Sequence, residues 1–90
     1  MAEFLTIIHE CKDFKTWKVA YDADAGNRKA AGLTDLMLVH ASDNPNRVAL
    51  LFGVSDVSKA KAMVTSDALR ETMQKAGVIG APTIWIANKA

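Results

Sequence analysis

Apolar residues fall on both parities in four short runs of the chain and at helical spacing in two longer ones, and this pattern lays out the elements. From Glu3 to His9, Phe4, Thr6 and Ile8 lie on one side and Leu5, Ile7 and His9 on the other, which predicts a strand covered on both faces. Asp35 to Ala41 and Arg47 to Val54 read the same way. The residues between them, Ser42-Asp43-Asn44-Pro45-Asn46, are turn chemistry, so the two runs form an antiparallel hairpin. With Ala41 opposite Arg47, Leu36, Leu38 and His40 share a face with Val48, Leu50 and Phe52. Met37, Val39, Ala49 and Leu51 share the other. A last strand runs from Thr83 to Asn88 after a turn over Val78-Ile79-Gly80-Ala81-Pro82, because proline suits the start of a strand and not its middle.

The first helical region spans Asp13 to Gly32, with Asp13 as its N-cap and Gly32 as its stop. Gly26 and Asn27 disfavour a helix interior, so a bend or break is expected near Gly26. Phe14, Trp17, Tyr21, Ala25, Arg28 and Gly32 fall in one stripe about 60° wide, with Asp24 at its edge. A helix that only covered a sheet would carry Leu or Ile where Arg28 sits. The stripe reads instead as the roof of a pocket polar enough to accept a guanidinium. The second helical region runs from about Asp56 to Ala76 and is interrupted at Thr65-Ser66-Asp67. Val57, Ala60, Met63 and Val64 form the apolar face of its first piece, and Leu69, Met73 and Ala76 that of the second, with Gly77 ending it.

The order strand, helix, strand, strand, helix, strand predicts an α+β, ferredoxin-like βαββαβ fold. It would have a four-stranded antiparallel sheet and both helical regions on one face. No linker, repeat or low-complexity tract divides residues 1–90, which read as a single domain. A domain of this length buries only about 60–65% of its unfolded surface, and the sheet face left bare is apolar. A homodimer closed through that face is the expected solution.

Composition narrows the function classes. The net charge is +1 and the basic residues are scattered, so no nucleic-acid footprint is expected. The single cysteine, Cys11, allows no internal disulfide, and no zinc-ligand spacing is present. Met1-Ala2-Glu3-Phe4 lacks the cationic start and apolar run of a signal peptide, and no apolar stretch reaches membrane length. The expectation is a cytoplasmic protein with no membrane partner and no metal.

Candidate chemistry rests on few residues. The first and second strands are parallel in this topology, so His9 and His40 emerge at the same end of the sheet, near the start of the first helix with Phe14 and Trp17. The sheet face that carries each histidine is left open by the pattern. Either could move a proton near neutral pH, and either could equally be a core or interface histidine. Tyr21 carries a hydroxyl that needs a partner if buried. Arg28 could pair with Asp24 one turn back or hold an anionic group. Trp17 and Phe14 could stack on a ring or simply fill the core.

The pattern Asp13-Phe14-x-x-Trp17-Lys18-x-x-Tyr21-Asp22, Arg28-x-x-Ala31-Gly32-Leu33, Asp43-x-Pro45-Asn46-x-Val48, Ser66-x-x-Leu69-Arg70-x-x-Met73 and Ala76-Gly77-Val78-x-Gly80-x-Pro82 covers nearly the whole chain. It resembles small bacterial proteins of the dimeric α/β-barrel superfamily, related to antibiotic-biosynthesis monooxygenases and small polyketide cyclases. The resemblance marks fold more than chemistry. It implies a cofactor-independent monooxygenase, cyclase or isomerase acting on an aromatic or polyketide-like substrate, with no cofactor. His40, His9 and Tyr21 would be catalytic, and Trp17, Arg28, Asp24 and Phe14 would bind a small aromatic or anionic ligand. The haem-degrading branch resembles the chain least, because residues 56–76 contain no histidine. The alternative is a non-catalytic dimeric module that binds a small ligand or only assembles.

Overall fold

A computed structural model describes residues 3–90, so Met1 and Ala2 of the stretch read for a leader lie outside the described residues. The element order is β1 (Glu3–Cys11), α1 (Phe14–Ala23), α2 (Ala25–Ala30), β2 (Leu33–Ala41), β3 (Asn44–Val54), α3 (Val57–Val64), α4 (Asp67–Lys75) and β4 (Val78–Asn88). The strands form one antiparallel sheet in the order β2-β3-β1-β4, the ferredoxin-like arrangement expected from the element order. Leu5, Ile7 and Cys11 of β1 and Val48, Leu50 and Phe52 of β3 are buried together with Trp17, Ala60 and Ala76 from the helical layer. The opposite face stays apolar and open. Ile8, Met37, Val39 and Trp85 are each more than a third exposed there.

Local chemistry explains the helix ends. The Asp13 and Asp56 carboxylates and the Ser66 hydroxyl each accept a backbone N–H of the following turn, capping α1, α3 and α4. The break in the first helical region falls at Asp24, two residues before Gly26, where the Asp24 N–H bonds back to the Ala20 and Tyr21 carbonyls. Gly32 then turns the chain into β2 at φ +77°, and a Cβ there would stand 2.6 Å from the Ser55 hydroxyl, so no larger residue fits undisturbed.

Two strand predictions need correction. Val78 and Ile79 are not a turn. They pair with Cys11 and Glu10 at the start of β4, and the ladder then bulges around Gly80, at φ +70°, before resuming at Thr83 opposite Ile8. The second correction concerns the ends of the β2–β3 register. It holds for Met37↔Leu51, Leu38↔Leu50, Val39↔Ala49 and His40↔Val48, but Ala41 pairs with Asn44 rather than Arg47, so β3 already starts at Asn44, and a further shift between Asp35 and Met37 pairs Asp35 with Phe52. Leu36 is therefore an unpaired bulge residue lying over Gly53 on the open face, half exposed, and not a companion of Val48, Leu50 and Phe52. One extra residue exchanges the faces of its neighbours, so the bulge delivers the Asp35 carboxylate to the helix-covered side.

Candidate functional site

Between the helical layer and the sheet lies a cavity of about 70 Å³. Ile7, His9, Leu50 and Phe52 form its floor, Trp17, Tyr21, Asp24 and Arg28 its roof, and Met63, Leu69, Thr72 and Met73 its far wall. Most of this lining is apolar, so the polar atoms that reach it set its chemistry.

His9 is the main one. Its position on β1 places it beside Ile7 and Cys11 on the covered face, and only 5% of it is exposed. Its Nδ1 has no hydrogen-bond partner, and its ring stands edge-on to Trp17 at 5.2 Å. Burial lowers its pKa below the usual histidine value, with the backbone at Glu10 opposing the shift, so the imidazole is neutral at pH 7. A buried polar atom left unpaired costs roughly 1–3 kcal/mol.

Three aromatic residues of α1 continue from this point. Phe14 and Trp17 have ring centroids 5.8 Å apart, and Trp17 and Tyr21 stack at 4.9 Å. Desolvation pushes the Tyr21 phenol up to about 12, with the Arg28 charge opposing and Asp35 adding to the rise, so Tyr21 stays protonated. The α1 start is fixed from a distance. The Asn46 side chain accepts the Phe14 N–H at 2.8 Å and donates to the Lys12 carbonyl at 3.3 Å, tying the β1–α1 loop to β3.

Arg28 is buried, as the stripe required, but Asp24 does not hold it. Its Nε and Nη2 donate to the two Asp35 oxygens at 3.1 and 3.2 Å, and its Nη1 donates to the Tyr21 carbonyl at 2.6 Å. The guanidinium carbon lies 3.7 Å from the Tyr21 ring centre. Asp24 lines the cavity and takes a hydrogen bond from Asn27 instead. The expected Arg28–Asp24 pair fails because Asp24 sits at the helix break and α2 turns away after it. Asp35 was not singled out from the sequence, because only the bulge at Leu36 brings it to this face.

His9 and His40 do share a row, each pairing with Val48 from opposite sides. They do not share the cavity. His40 is exposed on the outer strand, its ring 5.1 Å from Phe14 and its Nδ1 3.0 Å from the Ala41 carbonyl. Phe14 packs on Trp17 and His40 without lining the cavity. The structure thus gathers His9, Trp17, Tyr21, Asp24 and Arg28 and leaves His40 and Phe14 at the rim. Among the described residues no group of three or more His, Cys, Asp or Glu is placed to hold a metal ion, and no helix is long and apolar enough to cross a membrane.

No protein-family model and no curated protein matches the chain. Solved structures match it over its full length. A conserved protein from Methanosarcina mazei superposes with a TM-score of 0.74 at 15% identity, covering 100% of this chain and 94% of the other. A candidate antibiotic biosynthesis monooxygenase from Bordetella bronchiseptica gives 0.78 at 12% identity over 100% and 99%. SnoaB, a cofactor-independent oxygenase from Streptomyces nogalater, gives 0.68 at 9% identity over 98% and 91%. The chain has the fold of the antibiotic-biosynthesis-monooxygenase-like proteins, as the sequence resemblance implied, and identities this low carry fold alone.

Proposed function

We propose that the chain is a cofactor-independent enzyme acting on a small aromatic or polyketide-like substrate in the cavity between α1 and the sheet. The observation that carries this reading is His9, a buried, neutral imidazole in the lining of a mostly apolar and aromatic cavity. Such a group can take a proton from a substrate hydroxyl or activated carbon as general base, and its free-base form is the populated one at neutral pH. Trp17 and Tyr21 contribute aromatic surface to the lining, and Thr72 a further hydroxyl. The anion left by proton removal would react with dioxygen in an oxygenase, or within the substrate in a cyclase or isomerase. The fold shared with a cofactor-independent oxygenase supports this class. In this scheme His9 and Tyr21 act on the substrate, while His40 and Phe14 shape the rim.

We also propose that the open sheet face closes a homodimer, on the ground that Met37, Val39 and Trp85 stand about half exposed on it. The runner-up reading, a non-catalytic dimeric module, is favoured by the size of the cavity. At about 70 Å³ it is smaller than the usual 300–1,000 Å³ ligand pocket, so Met63 and Met73 would have to shift to admit a ring. A thermal-shift and mass-spectrometric screen of phenols and aromatic acids, followed by product and oxygen-uptake measurements on the hits, separates the two. The enzyme reading expects turnover that His9→Gln abolishes and His40→Gln leaves largely intact. Turnover unaffected by His9→Gln, or no hit from the screen, would refute it.

A further inference from the structure

Among the described residues the cavity has one cation in its lining; its charge is paired and three of its five N–H donors are committed. Nε and Nη2 of Arg28 are taken by Asp35, Nη1 by the Tyr21 carbonyl, and one face of the guanidinium by the Tyr21 ring. Asp24 is the carboxylate of the wall itself, and with Asp35 paired to Arg28 just outside the lining the three charged groups sum to a net negative charge. His9 is neutral at pH 7 and can balance no anion without first gaining a proton against its burial. A ligand carboxylate would therefore be desolvated beside acidic groups with no free cation to meet it. A neutral ring with one hydroxyl would instead hydrogen-bond the neutral imidazole of His9 in the lining.

Resting on the reading of this cavity as a substrate site, we infer that Asp35 is its charge-selectivity residue. By occupying Arg28 it makes the cavity choose neutral, hydroxyl-bearing rings over aromatic carboxylates. The β-bulge at Leu36 is the device that puts it there. In an unbroken ladder continuing the Met37↔Leu51 register, Asp35 would face the open side and Leu36 would lie under Arg28, leaving the guanidinium free for an anion.

The test uses phenol and benzoate as probes of similar size, followed at pH 7 through the Trp17 indole N–H resonance, which reports from the cavity roof. Wild type should bind phenol at least about tenfold more tightly than benzoate, and Asp35→Asn should narrow that gap to about threefold or less by gaining benzoate. The double variant Arg28→Met/Asp35→Asn, with the cation gone, should not gain benzoate. Benzoate binding to wild type as well as phenol overturns the inference, as does an unchanged gap in a folded Asp35→Asn protein. The wild-type comparison decides alone should the variant fail to fold. Silence of Trp17 toward both probes would instead overturn the cavity as a ligand site, and the inference with it.

Discussion

Replacing Arg28 by Met tests whether the guanidinium is a clamp built into the fold. The change keeps the apolar stem that packs under α2 and removes the charge and all donors. Three contacts are lost. The charge-assisted bond to the Tyr21 carbonyl is worth about 1.5–3 kcal/mol, and the contact with the Tyr21 ring about 0.5–1 kcal/mol. The ion pair with Asp35 is worth about 0–1 kcal/mol, because the Asp35 side chain is 52% exposed. Relief of guanidinium desolvation opposes these losses, since the Arg28 side chain is only 9% exposed. The net expectation is a loss of about 1–2 kcal/mol, a fall in melting temperature of roughly 5–15 °C for a domain of this size. Asp35→Asn should cost about 1–2 kcal/mol, more than the pair itself is worth, because it strands the buried guanidinium, and the double variant should cost less than the sum because the partners couple. Asp24→Asn should cost under about 0.5 kcal/mol, as Asp24 meets only Asn27 on the surface. Urea unfolding of the four variants measures this. An unchanged or raised stability in Arg28→Met would refute the clamp, and so would Asp24→Asn matching Asp35→Asn.

Other parts of the account are open to shorter tests. The folded-state pKa of His9 lies below its unfolded value, so the unfolded chain binds more protons between the two. Stability should therefore be full above about pH 7 and fall as pH drops through about 6.5 toward the lower folded value; unfolding between pH 7.5 and 5 should show this slope in wild type and His40→Gln and lose it in His9→Gln. Asn46→Ala strips the Phe14 N–H of its acceptor and should cost about 1–2 kcal/mol in urea unfolding, whereas a neutral result would mean that the loop does not depend on the link. Leu51→Glu places a charge on the open face, so light scattering should find a dimer for wild type and a monomer for the variant; a wild-type monomer at micromolar concentration would contradict the proposed seam.

Much of the architecture was legible because local chemistry and tertiary placement agree. Asp13 caps α1 where the sequence puts it, the interruption read at Thr65-Ser66-Asp67 is where α3 ends and α4 begins, and the hairpin register over residues 37–40 follows from the apolar pattern. The parallel setting of β1 and β2 brings His9 and His40 into one row, as the topology required. What escaped was set by irregularities. Alternation cannot announce a bulge at a leucine, so Leu36 was assigned to the core face and Asp35 was overlooked as the partner of a buried arginine. Gly80 and Pro82 suggested a turn although the strand runs through them, because a bulge and a turn use the same residues. Asn46 looked like turn chemistry alone, and its bond to Phe14 spans 32 positions, beyond any local pattern.

The central claim is that a ring nitrogen of His9, a neutral imidazole lining the cavity, receives a substrate hydroxyl there. Nitrogen-15 spectra of the imidazole, recorded at pH 7 with and without a phenol that the screen has found to bind, address that atom itself. The ring should be neutral in the free protein, and a ring-nitrogen resonance should move clearly on addition of the phenol. A charged imidazolium in the free protein, or ring-nitrogen signals that do not move when the phenol binds, would contradict it.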